Sequence, residues 1–345
     1  MLTPVVRDLL RELVTADAGP DLDDNVDFLR FPDGMPELSA EDAPLRLAEL
    51  LRHANGFQLL HDRLAEDADR ELLAKVLAYR VLGHRRVQLP MTADRLRALV
   101  ERVRALRVAE ATAPFGIFDW RTDDFDLTAL GYPLRLRTVV AGVVQNILVD
   151  QYRCGGALEV AVQPGDVVID GGAFAGDTSL YFAHLAGERG RVVAFEFEPG
   201  NLGLLEQNLE LNPGLSTRVE VRRAALWDQD GVELGFRPFG PATAIVENGE
   251  STVVTETIDA LVARGGLDRV DFVKLDIEGA ELAALRGASD TLRRFRPRLA
   301  IAAYHKVDDL ATLPSFLAGL DLGYRFRFGH TTMHQEESVL FARAG

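Results

Sequence analysis

The stretch Gly165-Asp166-Val167-Val168-Ile169-Asp170-Gly171-Gly172-Ala173-Phe174-Ala175-Gly176-Asp177-Thr178 decides the fold. An apolar run from Val167 to Ile169 ends in the carboxylate of Asp170. A glycine-rich turn follows, then a helical pattern through Leu180, Tyr181 and Ala183. A buried parallel strand, a tight turn and a helix N-terminus, in that order, mark the place where open α/β sheets bind their ligands. The glycines let backbone and ligand approach closely. Asp170 puts a negative charge where a dinucleotide-binding turn presents N–H groups to a pyrophosphate. A cationic ligand fits better, and S-adenosylmethionine, with its ammonium and sulfonium centres, is the candidate. The competing reading is a nicotinamide dinucleotide. Gly171 to Gly176 is a degenerate G-x-G-x-x-G with Ala173 at the second glycine, and Glu196 ends the next strand about twenty residues on. Both cofactors place a ribose there, so Glu196 does not discriminate between them; Asp170 and Ala173 do.

From about residue 155 onward, strand and helix patterns alternate, which predicts a parallel sheet with right-handed crossovers. The predicted strands are Val167–Asp170, Val192–Phe195, Val219–Val221, Phe272–Leu275 and Leu299–Tyr304. Two more, Tyr324–Phe328 and Val339–Ala342, are joined by too short a segment for a helix and so pair antiparallel, with Arg325 and Arg327 on the face opposite Tyr324, Phe326 and Phe328. Upstream, Leu72, Val76 and Tyr79 recur at helical spacing before Gly83. Thr92 can cap a second helix carrying Leu96, Val100 and Val103. Residues 18–44 read as connecting loop. The expected organisation is a helical N-terminal domain over 1–112, a β-hairpin or lid connector over 113–154, and the α/β domain over 155–345.

A second chemical block, Lys274-Leu275-Asp276-Ile277-Glu278-Gly279-Ala280-Glu281, ends the fourth parallel strand and opens a helix. Its three carboxylates lie at the carboxyl edge of the sheet, where like charges this close call for a cation or a shared proton. The chain has only three lysines, Lys75, Lys274 and Lys306, among 38 basic residues. Lys274 shares a face with Asp276 and is expected to neutralise the acidic cluster.

The order Asp170-Gly-Gly-Ala-Phe-Ala-Gly-Asp-Thr178, Glu196-Phe-Glu198-Pro199, Asn208, Ala224-Ala225-Leu226 and Lys274 to Glu281 resembles the FkbM family of S-adenosylmethionine-dependent methyltransferases. The resemblance covers about residues 150–343. It implies a class I methyltransferase-like, Rossmann-type α/β fold, with a mostly parallel seven-stranded sheet and an antiparallel last strand. It also implies methyl transfer to a hydroxyl, or to a carboxylate, of a natural product, sugar or peptide. The cofactor residues it points to are Tyr152, Asp170, Gly172, Ala173, Phe174, Gly176, Thr178, Glu196, Asn208, Ala225 and Asp276. Asp170 would meet the methionine ammonium, and Glu196 or Glu198 the ribose, with Glu196 favoured. His305, Asp276 and Lys274 are the catalytic candidates. His305 stands where the family often has a glutamate, so a general base, a metal ligand and a structural role all stay open for it. Asp276 and His305 could hold Mg²⁺ or Mn²⁺, although a metal-free base is the preferred reading. His330 and His334 read as surface or substrate-loop residues.

A net charge of −15 argues against nucleic-acid binding. The lone Cys154 suits a reducing compartment, and the charged residues near the N-terminus break any signal-peptide core. No apolar run reaches membrane-spanning length, so a cytoplasmic protein is expected. The N-terminal helices offer apolar stripes through which two copies could pair. Besides an enzyme, a scaffold that keeps the fold without turnover is a distinct reading, set against by the charged residues retained at Asp170, Glu196 and Asp276.

Overall fold

The computed structural model describes residues 2–115, 120–246 and 248–345. The chain forms two compact units. The first comprises residues 1–99, 154–159 and 302–345, and the second residues 100–153 and 160–301. Part of the connector expected over 113–154, residues 116–119, lies outside the described residues.

The first unit holds helices α1 (Pro4–Ala18), α2 (Ala43–Leu51), α3 (Ala54–Arg63) and α4 (Asp67–Leu82). Helix α1 packs on α3 and α4. Gly83 ends α4 with φ +79°, the left-handed conformation glycine tolerates. Thr92 accepts from the N–H of Arg95 and so caps α5 (Ala93–Arg104), as its sequence predicts. The unit closes with helix Asp309–Gly319 and two strands, Tyr324–His330 and Ser338–Ala344, paired antiparallel in register from Tyr324↔Ala344 to His330↔Ser338.

Tyr324, Phe326 and Phe328 are buried, as alternation predicts. Arg325 is exposed, but Arg327 on the same face is buried. Its guanidinium donates to Asp69 at 2.5 and 3.3 Å and pairs with Glu66 at 2.8 Å. His330 and His334 are buried too, which corrects their reading as surface residues. His330 Nδ1 meets Ser338 Oγ at 2.8 Å, and His334 Nε2 lies 3.3 Å from Asp27. Burial lowers the His330 pKa to about 3, so this imidazole is neutral and packs as part of the core.

The second unit opens with a three-stranded meander, β1 (Arg107–Phe115), β2 (Trp120–Asp126) and β3 (Arg135–Thr138). A short turn of helix, α6 (Val140–Gly142), runs into a π-helical segment, Val143–Leu148. The parallel strands follow: β4 (Val167–Gly171), β5 (Arg191–Phe195), β6 (Val219–Arg222) and, further along the chain, Phe272–Leu275 and Arg298–Ala302. Phe272–Leu275 lies between Arg298–Ala302 and β4, and β5 and β6 extend the other side. Val168, Ile169, Val192, Val193, Phe195, Phe272, Val273 and Leu275 are buried, the continuous apolar runs of a parallel sheet, with Asp170 and Lys274 as buried charges among them. Five parallel strands and a closing antiparallel pair are the seven that the sequence predicts.

A further small sheet was not legible. Strands β7 (Ala225–Leu226), β8 (Glu233–Arg237), β9 (Ala244–Ile245) and β10 (Ser251–Glu256) pair in the order β7-β10-β8-β9. Two of them have only two residues, too few for a period to show. No helix among the described residues is long and apolar enough to cross a membrane.

The Asp69–Arg327 pair gives a stability test. Arg327→Met leaves a buried carboxylate without its cation, which is expected to cost about 3 kcal/mol in denaturant unfolding. A loss under about 1 kcal/mol would show that Asp69 is solvated without its partner.

Candidate active site

The glycine turn that follows β4 is built around one buried cation. Lys274 is in register with Asp170 on the neighbouring parallel strand. Its ammonium lies 3.1 Å from Asp170 Oδ1 and donates to the carbonyls of Gly171 at 3.0 Å and Gly172 at 2.7 Å. Two of its N–H donors serve these carbonyls, and the Asp170 carboxylate beside them balances its charge. Burial alone would lower the Lys274 pKa. Asp170 beside it, with Asp276 and Asp177 near by, instead holds it above the ordinary lysine value, so the side chain stays charged.

Asp170 is fully buried, and its other oxygen accepts from Thr178 Oγ1 at 2.7 Å and Ser179 Oγ at 2.5 Å. It balances Lys274 and ties β4 to helix α7 (Asp177–Ala186), and it does not line the cleft above the turn. Lys274 likewise serves Asp170 and the turn carbonyls more directly than the acidic cluster it was expected to neutralise.

The turn is shaped for close approach. Gly172 has φ +79°, and a Cβ there would sit 1.9 Å from the Asp276 carbonyl oxygen, so no side chain fits. Phe174 and Glu278 hold positive φ values of 46° and 54° although neither is glycine. Such conformations cost energy and persist where surrounding structure enforces them. Both residues line the same cleft.

That cleft is open at its mouth, with a cavity of about 50 Å³. Its floor is Gly172, Phe174 and the ends of β5 and Phe272–Leu275. Phe197, Ala225, Leu226 and Ile245 make an apolar wall, closed by Gly240, Pro241 and Thr243. Phe197 packs edge-on against Phe236 at 5.0 Å, so the small sheet supports this wall.

Three carboxylates line the cleft: Glu196, Asp276 and Glu278. Glu196 Oε1 accepts from the N–H groups of Phe197 (2.7 Å) and Glu198 (2.9 Å), and Oε2 from Phe174 (2.9 Å). Burial raises its pKa to about 7, against the lowering effect of those N–H groups and of the Asn201 amide. Glu198 does something else: it accepts from Asn201 N at 2.6 Å and caps helix α8 (Pro199–Leu211). Tyr152 donates to Asp276 Oδ2 at 2.6 Å, with the Lys274 ammonium 5.3 Å from its ring centre. Glu281 is buried and accepts from Ile277 N and Gly279 N, shaping the loop that carries Glu278.

Asn208, expected at the cofactor, is fully buried and occupied elsewhere. Its amide accepts from Arg137 N at 2.6 Å and donates to the carbonyls of Arg137 and Ala175, both at 2.8 Å. Asn212 clamps Arg135 in the same way, so one face of α8 completes the hydrogen bonding of β3. Ala173 is core, its N–H bound to the Phe195 carbonyl, and Gly176 starts α7 with φ +76°. His305 belongs to the first unit, its ring 4.0 Å from that of Tyr304. Reading the sequence missed Phe197, Asn201 and the Gly240–Thr243 turn. Its Gly-Pro pair signals a loop but not where that loop folds.

Residues 170–326 match the model of the methyltransferase FkbM domain. The crystal structure of methyltransferase FkbM from Methylobacillus flagellatus KT superposes with a TM-score of 0.55 at 20% identity, over 86% of this chain and 60% of that one. The likeness is one of fold, and this chain spans 60% of that protein's length. A precorrin-6y C5,15-methyltransferase from Geobacter metallireducens GS-15 (TM-score 0.36, 16% identity, 59% of this chain and 88% of that one) is a more distant match. So is Aeropyrum pernix fibrillarin with natively bound S-adenosyl-L-methionine (TM-score 0.35, 12% identity, 54% and 70%). Matches at that level say nothing about this chain's site. No curated protein matches the chain.

Lys274→Arg tests the compact ammonium. A planar guanidinium cannot reproduce two donations and an ion pair converging on one nitrogen. The variant is expected to lose at least about tenfold in activity or cofactor affinity, roughly 1.4 kcal/mol. Lys75→Arg, on α4, should change neither. Equal behaviour of the two variants would make the placement of Lys274 accidental.

Proposed function

We infer, from the match of residues 170–326 to the methyltransferase FkbM domain, that the chain transfers a methyl group from S-adenosylmethionine to a hydroxyl oxygen of a small-molecule, sugar or peptide acceptor. The observation that carries this reading is Glu196. It is a carboxylate at the end of the second parallel strand, held by three backbone N–H groups and lining a cleft floored by the Gly172 turn. A carboxylate so placed suits the two hydroxyls of a ribose, and the apolar wall of Phe197, Ala225, Leu226 and Ile245 suits a flat base. Glu196, Asp276 and Glu278 line the cleft, and none of the described residues lining it is lysine, arginine or histidine. That charge pattern favours a sulfonium and ammonium ligand over the pyrophosphate of a dinucleotide.

S-adenosylmethionine would supply an electrophilic methyl group. The protein's share is to align the acceptor oxygen with it and keep water away. A hydroxyl must also lose its proton. Asp276 is the carboxylate at the cleft floor, oriented by the Tyr152 hydroxyl, and is our assignment for receiving it. A carboxylate acceptor needs no base, but the acidic lining disfavours an anionic acceptor.

Titration calorimetry tests the cofactor. S-adenosylmethionine is expected to bind, and a folded protein that binds none at millimolar concentration contradicts the reading. Affinity should also follow Glu196. The ionised carboxylate accepts from the ribose, and with a pKa of about 7 in the free protein a proton competes below neutrality. Affinity should therefore fall about tenfold from pH 8 to pH 6. A flat profile would remove Glu196 from the ligand.

A further inference from the structure

Asn201 sits in the first turn of α8, directly behind the Glu198 cap, and is 2% exposed where it lines the cleft. Its Nδ2 donates to the Gly240 carbonyl at 3.0 Å, the same carbonyl that Thr243 Oγ1 meets at 2.8 Å. This bond fixes which end of the amide is which, because a carbonyl demands a donor. The amide also lowers the Glu196 pKa, so its N–H side serves the carboxylate and the Gly240 turn together. The other end, Oδ1, is buried and has no hydrogen-bond partner. A buried amide oxygen without a donor is costly, and folded proteins seldom keep one without a use.

We propose that Asn201 is a specificity-determining residue of the cleft, whose side-chain oxygen accepts a hydrogen bond from a neutral N–H or O–H donor of the bound nucleoside. This rests on the S-adenosylmethionine reading above and adds to it a recognition contact that neither the glycine turn nor Glu196 provides. Two groups of that ligand have the required chemistry, the exocyclic amino group of adenine and a ribose hydroxyl whose proton is not given to Glu196. A base carrying a carbonyl at that position would set acceptor against acceptor and be rejected. Through Gly240 the same amide also fixes the turn that closes the cleft, so recognition and wall position are joined in one side chain.

The experiment is a cycle between protein and ligand, read by calorimetry at pH 8. The probes are S-adenosylhomocysteine, its 2′-deoxy and 3′-deoxy analogues, and S-inosylhomocysteine, each titrated into wild type and Asn201→Ala. In wild type, one of the three altered ligands should bind at least about tenfold more weakly than the parent. In Asn201→Ala, that same alteration should cost less than about twofold, and the altered group identifies the donor. If Asn201 served only to hold the Gly240 turn, the variant would weaken all four ligands by the same factor, and that result overturns the proposal. Asn201→Ser is the substitute should the alanine variant fail to fold. Independently of any variant, a wild type that binds all four ligands within about threefold overturns the proposal as well. Failure of the parent ligand to bind wild type would instead defeat the cofactor reading, and this inference with it.

Discussion

The pairing of Lys274 with Asp170 is the constraint on which the site depends. One ammonium, 2% exposed, meets a carboxylate on the adjacent strand and the two carbonyls with which the glycine turn begins. Neither charge would be tolerated alone at that depth, since breaking a buried pair typically costs about 3–5 kcal/mol. Together they pin the turn to the sheet from below. The turn can then present Gly172 against the Asp276 backbone and hold Phe174 at a positive φ. Thr178 and Ser179 extend the same network to α7, so strand, turn and helix are joined through Asp170.

Above that layer the carboxylates divide their work by position. Asp170 is spent on structure, Glu198 caps α8 and Glu281 folds its own loop. Glu196, Asp276 and Glu278 are left lining the cleft. Burial also sets how they behave. Glu196 accepts three backbone N–H groups, which favour its ionised form, yet desolvation outweighs them and leaves it near the midpoint of its titration at neutral pH. A group so poised gains from a ligand that brings its own hydrogen-bond donors.

Much of this was legible in the sequence, and the physical reasons for success and failure are separable. The parallel strands were readable because burial on both faces leaves unbroken apolar runs such as Val167–Ile169 and Val192–Phe195. Glu196, Gly172, Ala225 and Asp276 line the cleft, at the strand ends and glycine turn where open α/β sheets place their ligands. The ion pair of Asp170 was not readable, because its partner lies on another strand and only the register reveals that Lys274 stands opposite. Asn208 shows the same limit: a polar residue near a ligand site in sequence can be consumed by backbone, here that of Arg137. The burial of Arg327 and His334 likewise depends on Asp69 and Asp27, far away along the chain.

The central claim is that the cleft above the turn holds the cofactor while the charge pair beneath the turn holds the cleft. A crystal structure with S-adenosylhomocysteine bound tests it most directly. The account predicts the ribose on the Glu196 carboxylate, the base against Phe197 and Ile245, and Asp170 still paired with Lys274 out of reach of the ligand. A ligand amino group seated on Asp170, with Lys274 displaced, would contradict it.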